Sequence, residues 1–218
     1  MKKILNITAL SAALLVVSLG PLQLARAEKE KDVEHIKISE GQVVSESIGQ
    51  GINVSPSSGA QFGYFSHITG LDTLFAALPE NETTALFTFY QEFPIQHVAV
   101  NGPLRVVTRE GTTTVYLNAM PSGNFSSPDS FRAGAPIQTS VVRQQVVIDT
   151  TTSMFTVVNQ DTITSTSVFS INGTKYQLGK VADVLRTTRT GHLNSPGLSP
   201  AGWFAGYSVG AEKSKKNH

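Results

Sequence analysis

The sequence of 218 residues contains no cysteine. Neither a disulfide bond nor a thiolate metal site can therefore form, and packing and hydrogen bonds alone must hold the fold. A dominant charge sign is also missing, because 17 basic and 16 acidic side chains leave a formal net charge of +1. A chain so close to neutral has no broad positive field that would attract nucleic acid, so we expect no nucleic-acid partner.

Motifs for catalysis and metal binding are absent as well. The five histidines lie far apart in the sequence, and no H-x-x-x-H or H-E-x-x-H spacing occurs. No G-x-S-x-G elbow is present, and the adjacent Ser66 and His67 would point to opposite faces of a strand. The acidic side chains are scattered, without the opposed pair that glycoside hydrolysis needs. We therefore expect no metal and no cofactor, and the sequence leaves open whether the protein is an enzyme.

Long apolar runs are missing except near the N-terminus. Residues 1–3 are positively charged, residues 4–20 are mainly apolar, and residues 25–27 have the A-x-A form of a cleavage site. This order is typical of a secretory signal peptide, and it predicts export from a bacterial cell to the periplasm or beyond, with cleavage after Ala27. The alternative, an uncleaved membrane anchor, is disfavoured by the polar side chains within the run.

Cleavage would leave residues 28–218, a length that suits one domain. No later run reaches the ~20 apolar residues of a spanning helix, so we expect no transmembrane segment in the mature chain. Residues 28–60 are charged and then rich in glycine and serine, and we interpret them as a leader. In this interpretation residues 61–210 form a single β-barrel domain and residues 211–218 form a basic tail.

Alternating polar and apolar residues dominate the chain after Pro79. Residues 85–93 alternate between two faces, which is typical of a half-buried strand. Valine- and threonine-rich runs follow between turn residues, among them Asn172-Gly173, a strong hairpin signal. Gly111 would supply another turn. About eight to ten short strands with no βαβ rhythm predict an antiparallel β-barrel, calyx-like with about eight strands, and a β-sandwich is the alternative.

One short helix is predicted over residues 71–78. Its apolar side chains recur at the spacing of one buried helical face, and Pro79 would end it. We expect this helix to pack as a plug or edge element against the sheet.

Two features of the strands suggest a ligand pocket. Residues 85–93 place three phenylalanines and an amide on one face, and a buried Gln91 would need hydrogen bonds from the backbone or from a ligand. All six arginines after residue 27 lie between Arg105 and Arg189, where an inward guanidinium would bind an anionic ligand. The plainer alternative is cross-strand ion pairs on the barrel exterior. The candidate ligand-binding residues are Phe87, Phe89, Gln91, Phe93, Arg105, Arg143 and Arg186.

Apolar side chains with a few polar groups are the usual lining of a small-molecule pocket. We therefore expect a non-enzymatic exported protein that binds a small apolar or anionic molecule within the barrel or at its mouth. The expected architecture resembles the barrels of lipocalins and of allene oxide cyclases and dirigent proteins, although architecture alone does not carry function. The resemblance to allene oxide cyclases and dirigent proteins implies one alternative, a cofactor-independent cyclase or isomerase. Another is a surface or matrix interaction protein, and a homo-oligomer is compatible with each of these.

Overall fold

A computed structural model describes residues 32–211, which form eleven strands and one short 3-10 turn, Pro128–Arg132. In chain order the strands are β1 (Glu34–Ile36), β2 (Val43–Ser55), β3 (Ser58–Ile68), β4 (Phe87–Asn101), β5 (Leu104–Leu117), β6 (Ala135–Asp149), β7 (Met154–Thr166), β8 (Val168–Ile171), β9 (Thr174–Leu178), β10 (Val184–Leu193) and β11 (Gly202–Ala211).

Eight of these strands close into an antiparallel barrel. Their order around the ring is β10-β11-β2-β3-β4-β5-β6-β7, and β7 pairs with β10 to complete it. The eight-stranded antiparallel barrel expected from the alternating pattern is therefore confirmed. Closure gives the ring strands neighbours on both sides, which removes most of the open edge that a flat sheet would leave.

The remaining three strands form a small separate sheet, here called the end sheet, in the order β1-β9-β8. The strands β8 and β9 form a hairpin around Asn172-Gly173, and both of these residues have positive φ angles, 51° and 79°. The predicted hairpin is thus confirmed, because asparagine and glycine tolerate this conformation best. The strand β1 adds to β9 in parallel register.

The end sheet covers one end of the barrel, which we call the closed end. Ile36 and Phe169 of the end sheet belong to one apolar cluster with Phe87 and Val115 of the ring. The opposite end, the mouth, carries the short connections between ring strands and the longer loop 194–201. A second apolar cluster of inward side chains, including Val146 and Phe155, lies towards this end.

The prediction of a helix over residues 71–78 is wrong. The amide of Ala76 donates to the carbonyl of Thr84 at 2.8 Å, and the carbonyl of Leu74 accepts from Leu86 at 2.9 Å. The segment therefore pairs with residues 84–86 instead of closing helical turns. Leu71 and Leu74 are buried at the closed end, whereas Leu78 is 82% exposed, so the apolar spacing identified buried side chains but misidentified the backbone.

The prediction of a turn at Gly111 is also wrong, because β5 runs without interruption from Leu104 to Leu117. A Cβ atom at Gly111 would overlap the carbonyl oxygen of Glu92 on β4. The register between β4 and β5 shifts between Glu92 and Ile95, so the ladder has a bulge at this point. Glycine is present here because the two backbones approach closely, which is another established use of glycine within strands.

The barrel begins earlier than the predicted boundary at residue 61. The strand β2 and the start of β3 belong to the ring, although residues 28–60 were interpreted as a leader. In β2 a glycine is suited to position 49, because a Cβ atom there would meet the ring of Phe204. The predicted signal peptide and the tail from residue 212 lie outside the described residues, while Ala211 belongs to β11. Within residues 32–211 no helix has the length and apolarity needed to cross a membrane.

Candidate functional site

A layer of polar side chains crosses the middle of the barrel interior. Each member comes from an inward-facing position of a different strand, and all are buried. In two of those strands, β4 and β6, the layer residue alternates with buried apolar residues on the same inward face, as in Val142, Gln144 and Val146 of β6. We call this the polar layer, and its members are Gln61, Gln91, Gln144, Asn159 and Arg189.

Arg189 is the charged centre of the polar layer and is only 4% exposed. Its guanidinium carbon lies 4.8 Å from the ring centroids of both Phe89 and Phe204, a cation–π arrangement on two sides. Its Nη1 donates to the side-chain oxygens of Gln91 at 2.6 Å and Gln61 at 3.2 Å, while Nε has no partner among the described residues. Burial lowers the pKa of Arg189 to about 10, and the charge of Asp161 partly opposes this shift.

Asp161 lies on the closed-end side of the polar layer. One carboxylate oxygen accepts a hydrogen bond from Thr113 Oγ1 at 2.7 Å, and Thr113 in turn accepts from Gln91 Nε2 at 2.8 Å. Asp161 and Arg189 are therefore linked through Gln91 and Thr113, without an ion pair of 4.0 Å or less between them. Burial raises the pKa of Asp161 despite the hydrogen bonds that lower it.

A small cavity, here the lower cavity, lies between the polar layer and the end sheet. Its volume is about 60 Å³, and Asp161, Arg189 and Gln91 contribute polar groups to its wall. Since a water molecule takes roughly 30 Å³ in the liquid, this space suits about two waters. It is too small for an organic ligand in the observed conformation.

A larger cavity, here the mouth cavity, lies between the polar layer and the loop 194–201. Its volume is about 280 Å³. Polar groups reach it from Gln61 at the polar layer, from Gln96, and from Arg105 and Arg109 on β5. A concave site that combines apolar walls with convergent polar groups is the usual form of a small-molecule site. Its apolar walls include Val107, Val146, Ile148, Phe155 and Phe204.

Arg109 is the most buried charge on the mouth cavity. Its Nε donates to Gln96 Oε1 at 3.0 Å and its Nη1 to Gln144 Oε1 at 3.2 Å. Both acceptors are neutral amides, and no carboxylate lies within 4.0 Å of this guanidinium among residues 32–211. Burial, together with the like charge of Arg105, lowers the pKa of Arg109 to about 10.

Two further concavities lie on the outside of the barrel. A groove of about 910 Å³ follows the place where β3 and β4 separate, and Arg132 there forms ion pairs with Glu92 at 3.1 Å and Asp129 at 2.8 Å. A second groove of about 280 Å³ crosses the outer face of β6, β7 and β10, where Arg143 and Arg186 flank Gln160. Both grooves are more open than the mouth cavity.

The predicted site residues divide among these places. Phe89 and Gln91 line the lower cavity, and Gln91 is satisfied by side chains instead of by the backbone or a ligand. Phe87 packs against Phe169 at the closed end, away from both interior cavities. Phe93 lies under the guanidinium of Arg109, at 5.5 Å, and lines the outer groove between β3 and β4. All three predicted arginines are exposed, and only Arg105 lines the mouth cavity, whereas Arg143 and Arg186 lie on the outside of the barrel.

Most of the interior polar groups were not predicted from the sequence. Arg109 is four residues from Arg105 on one strand, so an inward Arg105 would have predicted an inward Arg109. Arg189 is three residues from Arg186 and therefore faces the other way. The alternation of β6 was a usable signal for Gln144. Asp161 and Asn159 had no comparable signal, because their strand is also rich in outward polar residues.

No family model, no curated protein and no solved structure matches the chain. Among residues 32–211 no three histidine or acidic side chains come together in a group that could hold a metal ion. The interpretation of the site therefore depends on its own geometry.

Proposed function

We propose that this protein is an exported bacterial β-barrel that binds a small, partly apolar molecule in the mouth cavity without chemical conversion. The observation that supports the proposal is the mouth cavity itself, a space of about 280 Å³ whose wall combines apolar side chains with polar ones. At the closed end similar inward side chains pack tightly instead. Export rests on the signal-peptide pattern of residues 1–27, and N-terminal sequencing of the protein from its host tests it.

Native mass spectrometry of the full chain, purified gently from its own host, tests ligand binding. We expect an additional mass that solvent extraction removes. The variant Val146→Phe would place a larger ring in the mouth cavity, because Val146 is a buried wall residue, and should lose that mass. The matched control is Val141→Phe on the same strand, since Val141 is exposed on the outer face.

Circular dichroism and thermal unfolding of both variants show whether the barrel remains folded. A folded Val146→Phe variant that retains the additional mass would contradict a ligand in the mouth cavity. A wild-type protein that carries no mass and binds no small amphiphile would contradict the binding function as a whole.

A cofactor-independent cyclase or isomerase is a second candidate, favoured by the buried Asp161 and Arg189. An enzyme of this type requires a polar group that can donate or accept a proton inside an apolar cavity. Asp161 is such a group, although it borders the lower cavity instead of the mouth cavity. The variant Asp161→Asn separates the two candidates. An enzyme would accumulate unconverted substrate and show a different extractable mass, whereas a carrier would retain the wild-type mass.

A further inference from the structure

The mouth cavity has a charge imbalance that an apolar ligand would leave uncorrected. Arg105 and Arg109 both contribute to its wall, and neither forms an ion pair with an acidic side chain among residues 32–211. By contrast, Arg132 on the outer face forms ion pairs with two acidic side chains. A guanidinium held in a cavity away from water interacts strongly with an anion, because the surroundings screen the charge poorly.

The hydrogen bonds of Arg109 leave donors for such an anion. Only Nε and Nη1 donate to protein acceptors, and no acceptor within the described part of the chain is bonded to Nη2. A guanidinium presents its N–H groups as a planar fork that fits the two oxygens of a carboxylate. The acceptors now present, Gln96 and Gln144, are neutral amides that a charged oxygen would outcompete.

The size of the cavity limits the rest of the ligand. At roughly 30 Å³ for each water-sized group, about 280 Å³ holds about nine or ten non-hydrogen atoms. A phosphate head group would fill a larger part of this space than a carboxylate. The apolar part of the wall is made of aliphatic and aromatic side chains, so most of the ligand atoms that contact it should be carbon.

From the partly buried Arg109 and the exposed Arg105 on the wall of the mouth cavity, neither of which has an acidic partner within residues 32–211, we propose that the ligand is a small carboxylic acid of about ten non-hydrogen atoms. Its carboxylate binds Arg109, with Arg105 supplying a second positive charge at the rim, and its hydrocarbon part fills the space beside Val146 and Phe204. This inference rests on the proposed binding function and adds the chemical class of the ligand.

Isothermal titration calorimetry with two probes tests the ligand class. Octanoate and octanamide have the same number of non-hydrogen atoms, and only octanoate carries a charge. On the solvent-extracted full chain we expect octanoate to bind about tenfold to a hundredfold more tightly, since a hydrogen-bonded charge contributes roughly 1.5–3 kcal/mol. This preference should weaken as salt concentration rises.

The variant Arg109→Gln should bind both probes with nearly equal affinity. Arg143→Gln is the matched control and should retain the full preference, because Arg143 is exposed on the outer face. Should Arg109→Gln fail to fold, Arg105→Gln gives a second test, and we expect it to reduce the preference about threefold, as for an exposed charge.

The two proposals fail in different ways. Equal binding of octanoate and octanamide to the wild-type chain would overturn the carboxylate inference and leave the binding function standing. An unchanged octanoate preference in folded Arg109→Gln would also overturn it. Absence of binding by both probes, together with no extractable mass from the host protein, would overturn both proposals.

Discussion

At the closed end of the barrel, inward apolar side chains pack against the end sheet, and Phe87 is fully buried against Phe169. At the mouth, inward side chains of the same kinds surround a cavity of about 280 Å³. The same ring strands supply both sets of residues. The difference therefore arises from what covers each end. A hydrogen-bonded sheet with apolar side chains covers the closed end, whereas the loop 194–201 lies over the mouth cavity.

The polar layer keeps these two ends distinct. Gln61 faces the mouth cavity, whereas Arg189 and Gln91 face the lower cavity, and hydrogen bonds from Arg189 join them. A buried polar layer usually costs stability unless its members are paired, and here two fully buried atoms, Arg189 Nε and Asn159 Nδ2, lack hydrogen-bond partners within the described chain. The layer thus separates the packed cluster of the closed end from the mouth cavity.

Truncation of one phenylalanine at each end gives the largest expected difference. Phe87→Ala should lower the free energy of unfolding by about 3–5 kcal/mol, because it leaves a new hole in a filled cluster. Phe155→Ala should lower it by roughly 1–2 kcal/mol less, because Phe155 already borders a cavity. Urea denaturation of both variants measures the two values. Equal losses would show that the mouth is as tightly packed as the closed end.

Removal of the central charge should have the next largest effect. Arg189→Met keeps a long apolar side chain between Phe89 and Phe204 but leaves the oxygen of Gln91 without its donor, whereas the oxygen of Gln61 still accepts from Gln144 Nε2. We expect a loss of about 1–3 kcal/mol in the free energy of unfolding from the unsatisfied Gln91 oxygen. Arg186→Met on the same strand is the control and should stay within about 0.5 kcal/mol, since Arg186 is exposed. An Arg189→Met variant as stable as wild type would mean that the amide side chains of the polar layer rearrange and satisfy one another's hydrogen bonds.

The pH dependence of stability tests the burial of Asp161. Because its pKa in the fold is raised above 3.8, the native state retains a proton that the unfolded chain has already lost. The native state then binds more protons, so the free energy of unfolding falls as the pH rises from the unfolded pKa through the folded one. The variant Asp161→Asn cannot ionise, and its stability relative to wild type should therefore increase as the pH rises.

An exposed carboxylate gives the opposite slope and serves as the control. Hydrogen bonding from the Thr151 amide lowers the pKa of Asp149, so its contribution is present at neutral pH and is lost as the pH falls. Asp149→Asn should therefore lose stability relative to wild type as the pH rises. Slopes of the same sign for both variants would contradict the buried position of Asp161.

The strands were predictable from the sequence because their signals are local. Alternation identified β4, and Asn172-Gly173 identified the hairpin of the end sheet, since each depends only on neighbouring residues. The faces of the strands were harder to assign. A shift of one residue exchanges inside and outside, and Arg186 was chosen in place of the inward Arg189 for this reason.

Where the backbone conformation was predicted wrongly, contacts with residues farther along the chain determine it. Gly111 resembles a turn until the position of Glu92 on the neighbouring strand is known. Residues 71–78 have helical spacing, but their hydrogen bonds go to residues 84–86. The polar layer is the extreme case, because five strands contribute to it and no pair of its members is adjacent in sequence.

The loop over the mouth gives the smallest expected change in stability. Leu198 lines the mouth cavity and is 58% exposed, so Leu198→Ala should change the free energy of unfolding by no more than about 0.5 kcal/mol. If the loop covers a bound ligand, the same substitution should accelerate dissociation of octanoate, which stopped-flow measurements can follow. Leu71 lies in the buried cluster of the closed end. Leu71→Ala should therefore lower the free energy of unfolding by about 2–5 kcal/mol and leave the rate of octanoate dissociation unchanged. A change in dissociation rate from the closed end would mean that the polar layer does not separate the two ends.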